Sequence, residues 1–482
     1  MNFVNGKTIE TGDTFPVLNP ASGEKIGDVA RSKPEDLARA IDSADAAFPK
    51  WANLAAWERE KILLDCAEAL EKNAAKLADI LIDESGSCIT KARYETSYTP
   101  RLLRAAAGEA TRLYGETMPN ERPTRMTFVI REPIGVVVCL VPFNAPLALL
   151  AKMVAFPLAA GNTVVVKPSE ETPLIALEFA RILVEAGLPE GVLNIVNGYG
   201  SEIGEALITN NKVRGIALTG STTTGQIVGK QAIAGMKHIQ LELGGKNPLI
   251  VLKDYDPKKA AEIAAEGIFT HAGQICMANS RVLVERETAD EFCSELVKKA
   301  ESLYLGDLRD EKTYYGTLIN NKALDKVEEH VKDATERGAR LLTGGKVLDG
   351  LRYAPTVLLN PPKDSLAWCE ETFAPLVGVT AVENLEEAIA LANDSDYGLS
   401  AGILTHDLQR AFTAARRIKA GSVHIGMHPF QSNALAPIGG YGMSGIGRSG
   451  GKYSVAEFTE EKWISVEAGS LPISECGMRS AD

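Results

Sequence analysis

The chain has 482 residues, too many for one hydrophobic core of ordinary size, so two or three domains are expected. Hydrophobic residues make up 45% and charged residues 24%, the balance of an ordinary globular chain rather than a disordered one. Acidic residues outnumber basic ones by 63 to 51, a net charge of -12 with no long basic cluster, which argues against a nucleic-acid partner because phosphate binding needs concentrated positive charge.

The opening "MNFVNGKTIETGDTFPVLNP" lacks a basic region followed by an apolar core, so no signal peptide is expected. No run of about 18 or more apolar residues predicts a membrane span. Seven cysteines (66, 88, 139, 276, 293, 369 and 476) are widely spaced, odd in number and free of any CxxC pair. Neither a disulfide framework nor a metal is expected, and a reducing cytoplasm is the simplest location.

In chain order, residues 34 to 83 predict helices. Pro34 stands at a helix start, and "AWEREKILLDCAEALEKNAAKLADILIDES" repeats apolar residues at three- and four-residue intervals. The first ~100 residues are thus expected to be mostly helical cover. From residue 134 strand and helix patterns alternate: "IGVVVCLVPF" (134–143), "NTVVVKPSE" (162–170), "GVLNIVNGYG" (191–200) and "RGIALTGS" (214–221) are strands, each followed by a helical segment. Four such units in series predict a doubly wound parallel sheet. A second α/β region begins at "HIQLELGGKNPLIVL" (238–252) and runs through helices near 257–270 and 287–303 to the strand "GSVHIG" (421–426). "AEFTEEKWISVE" is a strand that pairs elsewhere, and the tail after 467 is expected to be loose.

Loops at the C-terminal ends of parallel strands face a common crevice. Asn144, then Lys167, Ser169 and Glu170, then Thr219, Gly220 and Ser221 should share one edge. Each also has a bland reading. Asn144 between Pro142 and Pro146 suits a turn, Lys167 and Glu170 suit a solvated ion pair, and "GSTTTG" suits a capped helix start. The functional alternative for the last is a diphosphate received by N–H groups at a helix N-terminus. The GxGxxxG spacing of "GYGSEIG" (198–204) is weak by itself. Glu242, an acid at an apolar strand end before two glycines, is expected to be raised in pKa by desolvation, as a general base requires; a capping acid is the alternative. Cys276 in "FTHAGQICMANSR" is either a core thiol or a nucleophile set near a carboxylate and an amide donor. Cys66, Cys88, Cys139, Cys293 and Cys369 look structural, and the six histidines form no triad.

Taken together, "PFNAP" (142–146), "VVKPSE" (165–170), "LTGSTTTG" (218–225), "LELGGKNP" (241–248), "GQIC" (273–276), "EETFAPL" (370–376) and "PIGGYGMSGIGR" (437–448) resemble the aldehyde dehydrogenase superfamily in content, order and spacing. The resemblance implies a doubly wound Rossmann-like coenzyme domain (1–110 and 132–243), an α/β catalytic domain (244–445) and a small β oligomerisation arm (111–131 and 455–468). It implies a homodimer or homotetramer, and NAD(P)-dependent oxidation of an aldehyde to the acid. Cys276 would be the nucleophile, and Asn144 with the Cys276 backbone N–H would hold the oxyanion. Hydride transfer to the nicotinamide would leave a thioester, which Glu242 would hydrolyse by activating water. Lys167 and Glu170 would hold the adenosine ribose, Gly220 and Ser221 the diphosphate, and Glu371 and Phe373 the nicotinamide ribose. A carboxylate at 170 suits free ribose hydroxyls and repels a 2′-phosphate, so NAD is favoured, with NADP possible.

The chain departs from the family pattern at Phe143, where the family usually has Trp, and at "LTGS" and "FAP"; these are packing changes. "GQICM" and "GGKYSVAEFTEEKW" look most like the branch acting on benzaldehyde, vanillin and salicylaldehyde. By family position Phe143, Ala145, Leu149, Ile275 and Met277, with Phe430 or Ile438, would line the substrate tunnel, and small Ala145 leaves room for a ring. A short aliphatic, hydroxy- or semialdehyde enzyme is the alternative, although no arginine stands near the tunnel positions to receive a second carboxylate. A non-catalytic binding protein on the same fold is the alternative of a different class.

Overall fold

The computed structural model describes residues 1–467, so Cys476, residue 468 of the expected arm and the tail lie outside the described residues. Valine-rich runs with both faces covered form the centre of an eight-stranded sheet. Leu193–Ile195, Thr163–Lys167, Val136–Leu140, Val213–Thr219 and His238–Glu242 lie side by side and parallel. Their C-terminal ends therefore share one edge, as the strand-and-helix alternation predicts. Helices fill both faces: Pro146–Ala159 is buried along nearly its whole length, with Ile89–Ala110 and Ala56–Lys72 packed outside it.

The N-terminus corrects the expectation of helical cover. Residues 34–85 are indeed helical, as Pro34–Ala52, Ala56–Lys72 and Ala74–Ser85. The first thirty residues, however, are β. Asn2–Val4 joins the large sheet beside Leu193–Ile195, and Thr14–Leu18 pairs with Lys25–Ala30. Strands of three to six residues are too short to leave a strong period-two signal, and tertiary pairing decides them.

The segment 238–252 divides between two sheets. His238–Glu242 belongs to the first, whereas Pro248–Val251 enters a seven-stranded second sheet with Arg281–Glu285, Leu376–Val382, Thr356–Leu359 and Ser400–Leu404, all parallel. The intervening Leu243–Asn247 crosses from one sheet to the other. Near the C-terminus the chain returns, and Gly445–Ile446 pairs antiparallel with His238–Glu242. A third, small sheet pairs Thr459–Glu467 with Arg125–Pro133 through nine consecutive residue pairs, and Glu116–Met118 completes it. Residues 455–457 of the expected arm lie instead in the helix Gly451–Glu457. Trp463, 73% exposed, and Met118, Met126 and Val466 leave this sheet with apolar surface.

Candidate active site

Four loops meet beyond the C-terminal strand ends of the first sheet and before the N-terminal strand ends of the second. Phe143–Ala145 follows Val136–Leu140, Leu243–Asn247 is the crossing strap, Gly273–Met277 follows the helix Pro257–Phe269, and Glu371–Pro375 precedes Leu376–Val382. Glycines permit the approach. A Cβ on Gly244 would stand 2.4 Å from the Glu371 carboxylate, and one on Gly245 would stand 2.8 Å from the Cys276 carbonyl oxygen. A Cβ on Gly273, at φ +70°, would stand 2.1 Å from the Ala374 carbonyl oxygen.

Cys276 sits after an unusual turn. His271, Ala272 and Gly273 have φ of +52°, +54° and +70°, three successive left-handed residues where only the last is favoured to adopt the conformation. The strain persists because the surrounding bonds hold it. Gln274, fully buried, donates from its amide to the carbonyls of Thr317 (3.1 Å) and His271 (3.3 Å) and accepts from the Ile319 N–H (3.0 Å). Asn247 donates to the carbonyls of Cys276 (2.8 Å) and Ala278 (2.9 Å). Cys276 itself is half-buried. Burial, reinforced by the nearby Glu242 and Glu371, pushes it up to about 12, while Lys152 and the Met277 N–H oppose the rise. Such a thiol is protonated at neutral pH and needs a proton acceptor to become a nucleophile.

Asn144, buried, donates from Nδ2 to the Gln274 carbonyl at 3.0 Å. That bond uses one of the two amide hydrogens and fixes which end of the side chain is the donor. The remaining hydrogen is left for a further acceptor. Glu242, the last residue of its strand, is buried as expected, yet it is not an isolated carboxylate. The Lys152 ammonium lies 3.2 Å from its Oε1, with both side chains at most 10% exposed. Such a counter-charge compensates the burial of both groups. Lys152 went unnoticed in the sequence, although a lone charge inside "PLALLAKMVAFPLA", a helix otherwise free of charge, was the available signal.

The expected coenzyme residues lie along the shared strand edge. The Lys167 ammonium, buried, donates to the Pro168 carbonyl (2.8 Å) and meets Glu170 at 3.3 Å, with the Glu170 side chain 40% exposed toward the crevice. Burial lowers Lys167 while Glu170 raises it. Ser221 is the cap of Thr222–Ala234, accepting from the Thr224 N–H, so the bland reading is correct as far as it goes; the first turn of a helix still presents N–H groups beside Gly220. An ammonium and a half-exposed carboxylate match ribose hydroxyls, and a glycine before a helix N-terminus matches a diphosphate, so this donor set fits a dinucleotide.

Glu371 accepts from the Gly245 N–H at 3.1 Å; burial pushes its carboxyl up to about 7, opposed by Gly245, Lys326 and Lys246. Phe373 has φ +59° and packs edge-on against Phe143, centroids 5.8 Å apart, so Phe143 bridges the expected tunnel and coenzyme groups. Ala145, Leu149 and Ile275 are half-buried and Met277 is buried. Of the cysteines read as structural, Cys66, Cys88, Cys139 and Cys293 are buried; Cys369 is exposed, which corrects that reading. Among the described residues no group of three or more His, Cys, Asp or Glu side chains is placed to hold a metal ion, and no helix is long and apolar enough to cross a membrane.

A half-buried thiol, a buried carboxylate and an oriented amide thus lie together beside a strand edge whose donors suit a dinucleotide. Comparisons with known proteins show the family. The aldehyde dehydrogenase family model matches residues 7–464. Glutarate-semialdehyde dehydrogenase of Pseudomonas putida is 36% identical over 96% of this chain and 97% of its own length. Vanillin dehydrogenase of Pseudomonas fluorescens is 38% identical over 95% of each. A crystal structure of an aldehyde dehydrogenase from Brucella melitensis biovar abortus superposes with a TM-score of 0.94 at 38% identity, covering 97% of both chains. The chain belongs to the aldehyde dehydrogenase family and is an aldehyde dehydrogenase with that family's fold.

Proposed function

We propose that this enzyme oxidises an aromatic aldehyde of the benzaldehyde or vanillin type to its carboxylic acid, with NAD as the preferred coenzyme. The chemistry is carried by one observation: buried Glu242 lies near enough to act on the Cys276 thiol, and Asn144 is bonded to the carbonyl of Gln274, two residues before that cysteine. Glu242 takes the thiol proton and the thiolate attacks the aldehyde carbon. The oxyanion forms against the free Asn144 N–H and the Cys276 backbone N–H. Lys167, Glu170, Gly220, Ser221, Glu371 and Phe373 would hold NAD, which when bound supplies the hydride acceptor that turns the thiohemiacetal into a thioester. Once Glu242 has passed the thiol proton to solvent it is again a carboxylate and removes a proton from water as it attacks the thioester; the acid departs, and that proton returns from Glu242 to the leaving sulfur to restore the thiol.

The aromatic assignment is supported by the small side chain of Ala145 and the apolar side chains of Leu149, Ile275 and Met277, which family position assigns to the substrate tunnel. A second reading, a semialdehyde with its own carboxylate, draws support from Lys152, a cation at the site that sequence reading lacked. Glu242 already neutralises that cation, so the aromatic reading is preferred. The exposed apolar side chains on the sheet of Thr459–Glu467 and that strand's free edge support a homodimer or homotetramer built through it.

Initial rates of NADH formation at 340 nm over benzaldehyde, vanillin, salicylaldehyde, propanal and succinic semialdehyde, with wild type and Cys276→Ala, test the assignment. Highest kcat/KM on the aromatic members and an inactive variant are expected. Preference for succinic semialdehyde overturns the substrate class, and a fully active Cys276→Ala overturns the mechanism.

A further inference from the structure

The site contains one more charge than the reaction as described uses. Lys152 projects from the helix Pro146–Ala159, whose other residues are apolar, and its side chain is 7% exposed. A buried ammonium is retained only where something compensates its desolvation. Glu242 compensates it in the resting enzyme, at 3.2 Å, through one of the three ammonium hydrogens.

The groups whose fields act most on the Cys276 thiol are the carboxylates of Glu242 and Glu371 and, opposing them, the ammonium of Lys152. The other charges on elements packed against the Pro146–Ala159 helix are engaged with partners of their own. On Ile89–Ala110, Glu95 accepts the N–H groups of Leu147 (2.7 Å) and Ala148 (2.9 Å) at the first turn of the helix and is paired with Lys91. Arg59 donates to the Ala159 carbonyl (3.2 Å) at the helix's C-terminal end, and Lys167 donates to the Pro168 carbonyl and meets Glu170. Glu84 is engaged by the N–H groups of Leu174 and Ile175.

When the thiol proton moves to Glu242, the negative charge moves from carboxylate to sulfur. The step is balanced within the site: thiol plus carboxylate becomes thiolate plus carboxylic acid, with no net charge created. In a low-dielectric cavity the cost of that displacement depends on whether a cation stays within reach of both positions. Lys152 contacts the first position and its field reaches the second.

We propose that Lys152 is a fixed counter-ion shared by Glu242 and Cys276, a positioning residue that holds the carboxylate in the resting site and stabilises the thiolate once the proton has moved. This inference rests on the assignment of Cys276 as nucleophile and Glu242 as base. It assigns a role to the lysine in the helix following the oxyanion asparagine, distinct from substrate recognition. It also explains why a semialdehyde carboxylate is not required to satisfy this cation.

The test is the pH profile of Cys276 alkylation by iodoacetamide, followed by mass spectrometry of the Cys276 peptide so that exposed Cys369 does not interfere. Wild type is compared with Lys152→Gln, Lys152→Met and Lys152→Arg. The two neutral variants should move the profile alkaline by about one pH unit or more, a roughly tenfold loss of thiolate at fixed pH. The acid limb of kcat/KM should follow, with kcat falling more than KM rises, and Lys152→Arg should restore the wild-type profile. Glu242→Gln supplies a second measurement that does not depend on the lysine variants folding. With an anion removed and the cation left in place, its alkylation profile should move acid.

Unchanged profiles in the neutral variants, or an alkaline shift in Glu242→Gln, overturn the proposal. A rise in KM confined to succinic semialdehyde with an unmoved profile overturns it in favour of substrate-anion binding. Failure of the underlying mechanism is read separately, as full activity in Cys276→Ala.

Discussion

Replacing Gln274 with methionine tests how the nucleophile loop is held. The side chains are of similar length and volume, so packing is largely kept while three hydrogen bonds are lost. The Ile319 N–H and the Thr317 carbonyl lose the partners they find at 3.0 and 3.1 Å, both in fully buried surroundings; the His271 carbonyl keeps the Gln274 backbone N–H at 3.1 Å. Two orphaned groups at about 1–3 kcal/mol each give a destabilisation of roughly 2–6 kcal/mol. With an unfolding entropy of about 2.1 cal/mol/K per residue, a chain of 482 residues shifts by about 1 °C per kcal/mol, so the melting temperature should fall by roughly 2–6 °C.

The functional effect should be separable from the thermal one. The Gln274 carbonyl anchors Asn144, and the same turn carries Cys276, so loosening it should misplace the proposed nucleophile and oxyanion donor together. At 20 °C, well below the new transition, kcat should fall about a hundredfold, the order expected when reacting groups drift by an ångström. Differential scanning fluorimetry and initial rates at 340 nm measure the two effects. An unchanged melting temperature with wild-type kcat would refute the idea that these bonds hold the left-handed turn at 271–273. A lower melting temperature with intact kcat would show that the turn is held elsewhere.

Asn144→Ala should lower kcat by about 10²–10³ with little change in KM, because it removes one oxyanion donor and leaves aldehyde binding alone; steady-state kinetics decide this. Glu170→Gln removes the charge opposed to a 2′-phosphate while keeping the shape. Because that side chain is 40% exposed, the Coulomb gain is near the screened end, about 1–2 kcal/mol, and the kcat/KM ratio of NADP to NAD should rise roughly tenfold. His330, bonded through Nδ1 to Thr372 Oγ1 at 3.0 Å, is lowered to about 3 chiefly by burial and then by Lys246 and Lys326. Below the ordinary imidazole value near 6.5 the unfolded chain binds a proton that the folded one refuses, so stability should fall with acidification from about pH 6.5 toward pH 3, at up to about 1.4 kcal/mol per pH unit. His330→Asn should flatten that part of a melting-temperature-versus-pH curve, and an identical slope in both proteins would contradict it.

How much of this was legible beforehand differs from one residue to the next. The valine-rich runs at 136–140 and 163–167 declare buried parallel strands because both faces must be apolar, and the polar residues just beyond them had to share an edge once the strands were parallel. Asn144, Lys167, Glu170 and Ser221 were found in that way. Cys276 and Glu242 stood out as reactive groups in apolar settings, and the ordered motif set identified the family. Those signals lie within a few residues of one another, where periodicity and turn chemistry act.

The tertiary structure decided what depends on partners far away in the chain. Lys152 meets Glu242 across 90 positions, and Asn144 meets the Gln274 carbonyl across 130. Neither pairing follows from local pattern, because it requires knowing which strands are neighbours and which loops the strap 243–247 brings together. The same holds for the N-terminal strand at 2–4 and for the pairing of Thr459–Glu467 with Arg125–Pro133, where a short or amphipathic segment becomes a strand only because a sheet edge is there to receive it. By itself the sequence determined which residues could react. Their charge states and orientations were settled by the desolvated neighbours that folding places around them, since electrostatic energy in a buried site depends on distances of a few ångströms that only the assembled fold defines.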